Sequence, residues 1–142
     1  MLRACRRVLK PGGRIAYFNI FIAEHLPDET RRRIAKAGNP SVYSRSEQLG
    51  LLRSAGFVNI EATDVTDEYL RVQRAVYEAN ERHARALRRV QGRGVFEERQ
   101  RNRSRTLENI EAGVLRRSLF VAERAGAAPA PRRRARRARP AR

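Results

Sequence analysis

Residues Ile15 to Ile22 read Ile-Ala-Tyr-Phe-Asn-Ile-Phe-Ile, apolar at odd and even positions alike, with Asn19 the one interruption. A half-buried strand alternates apolar and polar, because successive side chains point to opposite faces. A run that is apolar on both faces suits a strand covered on both sides, as in the parallel sheets of α/β proteins. A short buried helix gives the same pattern. The preceding Gly12-Gly13 and the β-branched and aromatic content favour a strand. Such a segment needs neighbours, and an edge left bare is a template for aggregation.

The flanking sequence supplies helices. Leu2, Cys5, Val8 and Leu9 share one helical face, and Pro11-Gly12-Gly13 stops that helix. The helix begins at Met1 with no capping residue before it, and so reads as one entered part-way. Pro27-Asp28-Glu29 opens a second helix, with proline at the first turn and acids at the positive dipole end; Gly38-Asn39-Pro40 closes it. Ser44-Arg45-Ser46-Glu47 has the spacing of a capping box. Leu49, Leu52 and Ala55 follow on one face, with Gly56 as the left-handed residue after the helix. From Phe57 to Val65, Val58, Ile60 and Ala62 alternate with Asn59, Glu61 and Thr63, which predicts a strand.

Asp67 to about Val90 carries Tyr69, Val72, Val76, Ala79, His83, Leu87 and Val90 at helical spacing. Gly92-Arg93-Gly94 breaks it. A further helix to Ala112 has Phe96, Leu107 and Ile110 on its apolar side and an almost wholly polar middle, Glu97 to Arg105. Together they predict an antiparallel helical hairpin over about 67–112. Ser118 to Ala122 is a last strand. Residues 1–125 are therefore expected to form one α/β domain, and 126–142, built of Ala, Pro, Gly and Arg, a disordered tail.

Composition adds a strong positive charge, +17, carried by 30 Arg and only Lys10 and Lys36. Such a balance suggests a polyanionic partner, but the arginine skew also fits GC-rich coding. Seven of the Arg lie in the last eleven residues. The tail, 131–142, can meet nucleic acid non-specifically through phosphates, without an aromatic residue for stacking on bases. A biased extension without function reads equally well. Cys5 stands alone, so no intrachain disulfide forms, which suits a reducing cytoplasm. The longest apolar run is far too short to span a bilayer; no secretory signal is visible, and no second His or Cys supports a metal site at His83.

Arg7-Val8-Leu9-Lys10-Pro11-Gly12-Gly13-Arg14-Ile15 resembles the segment that links the fourth helix to the fifth strand in class I S-adenosylmethionine-dependent methyltransferases, the type 11 group in particular. The helix ending Ser54-Ala55-Gly56-Phe57, the strand after it and Leu119-Phe120-Val121-Ala122 fit the remainder of that pattern, over about residues 2–124. The resemblance implies the C-terminal portion of a Rossmann-like sheet: its last three strands, the final one slotted antiparallel between the other two, with the helical hairpin inserted before it. It implies S-adenosylmethionine as cofactor and an unknown methyl acceptor, attacked in line, with the protein chiefly positioning the reactants. Those proteins hold the cofactor on their first half, through a glycine-rich loop after the first strand. Here Gly12-Gly13 precedes its strand, so no cofactor residue carries over. The chain is expected to bind no cofactor alone, to be inactive alone, and to associate with a complementary chain or with itself.

Four residues are candidates for the surroundings of a substrate, since ligands in α/β sheets sit beyond the carboxyl ends of parallel strands. His25 and Glu24 follow the apolar strand; His25 suits a general base, although a solvated loop residue explains either. Asn19 lies mid-strand. Tyr43 stands ready to line an acceptor pocket or simply to pack. The hairpin is placed to cap that pocket. Two other classes of function fit the same residues: a small basic nucleic-acid-binding protein, and a non-catalytic subunit completing another methyltransferase-like chain.

Overall fold

The computed structural model of the protein describes residues 1–37, 42–44 and 46–126. The elements run α1 (Leu2–Val8), β1 (Arg14–Ile22), α2 (Asp28–Ala37), α3 (Gln48–Ser54), β2 (Phe57–Asp64), α4 (Thr66–Arg82), α5 (Ala84–Gln91), α6 (Arg93–Glu111) and β3 (Leu115–Arg124). The Arg-rich tail from residue 127 and the Gly38-Asn39-Pro40 helix stop lie outside the described residues.

The three strands order as β1-β3-β2. The last strand in sequence is thus the central one, antiparallel to both neighbours, with Arg14 opposite Glu123, Tyr17 opposite Phe120 and Ile22 opposite Leu115. β1 and β2 consequently point the same way. Among the described residues nothing pairs with the other edge of β1.

Cross-strand partners share a face, and the two faces carry separate cores. On one face Tyr17 and Phe120 stack with centroids 5.5 Å apart. With Phe57, Ala122 and Ile15 they meet Leu52 of α3, Ala55 just after it and Leu2 of α1. On the other face Ile22 and Leu115 pack with Ala35 of α2, Tyr69 of α4 and Ile110 of α6. Coverage of this second face stops part-way: Phe18 is 55% exposed. The segment that the sequence marks for cover on both faces has it along one and only part-way along the other.

Local chemistry fixes the joints. Gly12 (φ +74°) turns the chain from α1 into β1, and Gly56 (φ +83°) ends α3, both in the left-handed region that glycine favours. Arg6 Nε donates to the Gly56 carbonyl at 3.1 Å, and the Arg124 guanidinium donates to the carbonyls of Arg6 and Leu9. Two arginines thereby satisfy carbonyls that the ends of α1 and α3 leave open.

Three expectations are corrected. The capping box does not form. α3 starts at Gln48 without a capping side chain of its own, and the Ser44 hydroxyl instead bonds the backbone of Ser46. In β2 the simple alternation fails. One extra residue sits between Val58 and Glu61, where Asn59 takes φ 48° and its amide donates to Glu123 at 3.1 Å. Such a bulge shifts the residues before it relative to those after; Phe57 and Ile60 face the core, and Val58 turns outward, 41% exposed. The long helix is also two. It breaks at His83 (φ −104°, ψ 15°), which is exposed and not part of an apolar stripe. Beyond the break, Arg88 of α5 lies 4.8 Å over the Phe96 ring of α6.

The hairpin is held as much by amides as by apolar contact. Gln100, buried in the polar middle of α6, donates to Glu81 Oε1 at 2.7 Å and accepts from Asn80 at 3.1 Å. Arg103 donates to Gln73 at 2.9 Å. The base of α4 is fastened to β3 through Val65 N–H to the Arg117 carbonyl and Arg117 N–H to the Thr66 hydroxyl.

Candidate functional site

Two concavities meet at Val42. The first is a groove of about 660 Å³ along the unpaired side of β1, lined by Tyr17, Phe18, Asn19, Tyr43, Gln48 and Leu51 among others. Two of the four candidates, Asn19 and Tyr43, are therefore neighbours in space. Tyr43 is held from both sides: its hydroxyl donates to Asp28 at 2.8 Å and accepts from Arg32 at 3.0 Å. The Arg31 guanidinium lies 5.6 Å from its ring centroid. Glu24 has a structural task. Its Oε1 accepts from the Gln48 backbone N–H at 2.8 Å, so it caps α3 from the loop after β1, where an acid also suits the helix dipole. His25 stands exposed in that loop and lines neither concavity.

The second cavity, about 400 Å³, lies between the sheet, α2 and α6. One wall is apolar: Ile20, Ile34, Val42 and Leu115. The opposite wall is polar, made by Asn102, Arg105, Thr106 and Asn109 from successive turns of α6, with Tyr69 of α4 beside them. A neighbouring, more open hollow shares Tyr69, Asn102 and Thr106 and adds Gln73, Arg99 and Arg103. The Arg117 guanidinium is clasped between two rings, 4.5 Å from the centroid of Phe18 and 5.3 Å from that of Tyr69. Burial pushes the Tyr69 hydroxyl pKa up, while the nearby positive charges of Arg117 and Arg103 pull the other way. The Nε atoms of Arg103 and Arg117 are buried with no hydrogen-bond partner. Among the described residues the ion pairs involve other arginines, and no carboxylate pairs with Arg103, Arg105 or Arg117. The polar middle of the hairpin's second helix was the sequence signal for this wall. The role of particular arginines in it was not visible in so arginine-rich a chain.

Neither concavity is a cradle for a nucleoside-bearing cofactor. Such a cradle needs glycines after a strand, so that backbone can approach the ligand. β1 runs instead into Ala23-Glu24-His25 and β2 into Val65-Thr66. The glycines at 12–13 and 113 precede strands, and those at 92 and 94 sit in the hairpin turn. These residues do not fit S-adenosylmethionine. Among the described residues there is also no group of three or more metal-ligating side chains, and no helix long and apolar enough to cross a membrane.

Solved structures share this arrangement. The phosphoethanolamine N-methyltransferase 2 of Haemonchus contortus, solved with phosphomonomethylethanolamine and S-adenosylhomocysteine, superposes with a TM-score of 0.73 at 15% identity, over 87% of this chain and 29% of that one. A protein from Galdieria sulphuraria assigned as a sarcosine dimethylglycine methyltransferase gives 0.74 at 15% identity, over 87% and 46%. The cyclopropane synthase MmaA2 of Mycobacterium tuberculosis gives 0.68 at 13% identity, over 86% and 48%. The fold is the C-terminal portion of a Rossmann-like class I methyltransferase sheet. The chain spans between about a third and a half of the length of these proteins. No family model matches it, and no curated protein matches it by sequence.

Proposed function

We propose that the chain is the acceptor-side part of an S-adenosylmethionine-dependent methyltransferase of the type 11 kind. In this reading the cavity between α2, α6 and the sheet receives the methyl acceptor. The cofactor is held by a glycine-rich strand–loop–helix part that pairs with the unpaired edge of β1. The observation that carries the reading is the β1-β3-β2 order, with a central antiparallel strand and an unpaired edge on β1. Three further features support it: the Arg7–Ile15 segment, the groove running along that edge, and the contact of groove and cavity at Val42. The residues in hand position the acceptor and exclude water from one side of it. Effective concentration and orientation are the main source of rate in such a transfer.

The test is calorimetric titration with S-adenosylhomocysteine. The 142-residue chain at micromolar concentration is expected to give no heat of specific binding. In its native cell it is expected to occur with a glycine-rich strand–loop–helix part, as one polypeptide or as a complex, and that assembly is expected to bind. Tight binding by the chain alone would overturn the division of labour, and an assembly that binds no cofactor would overturn the assignment.

A further inference from the structure

We propose that the cavity between α2, α6 and the sheet takes an acceptor with an anionic head, a phosphate or carboxylate, on an apolar body. The inference rests on reading this cavity as the acceptor site and names the chemical class that fits it.

The argument starts from charge. Arg105 lines the cavity, and Arg103 lines the hollow beside it that shares Tyr69, Asn102 and Thr106; Arg117 lies behind them over the Tyr69 ring, and Arg103 and Arg117 each keep a buried Nε–H that meets no acceptor. A buried polar group without a partner costs roughly 1–3 kcal/mol, and more when it is charged. Some arginines of the hairpin have acids, Arg74 with Glu111 and Arg93 with Glu97 among them. None pairs with Arg103, Arg105 or Arg117 within 4.0 Å among the described residues. Asn102, Thr106 and Asn109 add neutral polar groups to the same wall as Arg105. Uncompensated positive charge and convergent donors together favour an anion.

The rest of the cavity sets the other end of the ligand. Ile20, Ile34, Val42 and Leu115 form a wall without charge. A free inorganic anion would leave that wall wet, and a cationic or zwitterionic head would bring a second positive charge against Arg105. The volume, about 400 Å³, is within the range of small-molecule sites.

Titration of the full chain with decyl phosphate tests this, with inorganic phosphate and decyltrimethylammonium as comparison arms and S-adenosylhomocysteine absent. Decyl phosphate is expected to bind, and to shift the amide resonances of Asn102, Thr106 and Ile34 most. Arg105→Gln is expected to weaken it about tenfold, the value of one charge-assisted contact; Arg53→Gln, at an exposed position of α3, is expected to change it less than twofold. Inorganic phosphate binding as tightly as decyl phosphate would overturn the apolar half of the proposal. Equal binding of the ammonium arm, shifts away from α6, or insensitivity to Arg105→Gln would overturn the anionic half. These outcomes are independent of cofactor binding, so the cavity proposal and the functional assignment can fail separately.

Discussion

Gln100 offers the sharpest check on how the hairpin is held. It is 7% exposed, and its amide serves both helices at once: Nε2 donates to Glu81 Oε1 at 2.7 Å and, less closely, to the Tyr77 carbonyl at 3.4 Å, while Oε1 accepts from Asn80 at 3.1 Å. Gln100→Leu keeps the volume and removes all three contacts. One involves a carboxylate, worth roughly 1.5–3 kcal/mol, and the neutral ones are worth about 1 kcal/mol or less each. Glu81 is exposed and regains water, and Asn80 is half-buried and regains it in part. The expected net loss is about 2 kcal/mol, or roughly 5–8 °C in the melting midpoint of a chain this size. Urea denaturation of Gln100→Leu, Asn80→Leu and the double variant measures it. The double variant is expected to be about 1 kcal/mol better than the sum of the singles, because the two side chains share one contact. Amide exchange is expected to quicken in α4 and α6 before α1 and α3. A Gln100→Leu protein as stable as the parent would refute the account and make apolar packing the whole of the hairpin's cohesion.

Gly56→Ala places a Cβ 2.8 Å from Arg6 Nε at φ +83°. Left-handed strain and displacement of Arg6 from the Gly56 carbonyl are expected to cost about 2 kcal/mol, read as a lower denaturation midpoint; no change would mean the turn relaxes freely. Burial acts to raise the Asp64 carboxyl pKa, but hydrogen bonds from the Thr66 hydroxyl and backbone, with the Arg116 guanidinium, bring it below its ordinary value. The native state therefore holds this proton less tightly than the unfolded chain. The resulting stability is present above the ordinary carboxylate range and disappears as pH falls through the lowered value. Asp64→Asn is expected to flatten the stability–pH curve below about pH 4 in part only, since Glu97 is lowered too, by its hydrogen bond from Arg93. An unchanged slope would remove Asp64 from the acid response. Phe18, 55% exposed beside the unpaired strand edge, is expected to promote self-association; Phe18→Glu should lower the weight-average mass in sedimentation while the chain stays folded. A parent protein that is monomeric at all concentrations would count against the bare edge as a sticky surface.

What the sequence disclosed followed the reach of each signal. The β1 segment, the positive φ at Gly56, the hairpin turn at Gly92 and the middle placement of the last strand were all legible, because apolar period, glycine chemistry and a family-like motif are local or contiguous. The capping box at Ser44 misled because a better acceptor arrives from elsewhere. Glu24 lies 24 residues before Gln48, and no spacing rule reaches that far. The bulge at Asn59 was written in a residue that tolerates left-handed backbone, but the regular alternation around it masked the extra residue. The four candidate positions were chosen by their place relative to strand ends, and the structure brings only Asn19 and Tyr43 together in one groove. The part that Arg105 takes in the cavity wall was hidden by abundance. In a chain with 30 arginines, identity says little; which of them line a cavity or keep a buried Nε–H without an acceptor, as Arg31, Arg103 and Arg117 do, is a property of packing alone.

The strand order also sets a timetable. Arg124 closes on the carbonyl of Arg6 across 118 residues, and among the described residues neither outer strand has a hydrogen-bonded companion until the middle one emerges. At a translation rate of about 5–20 residues per second, the greasy first strand waits on the order of ten seconds on the ribosome before β3 exists. Over that interval its protection must come from another segment already made or from a chaperone, which makes birth on the ribosome, more than life after release, the period of greatest hazard for this protein.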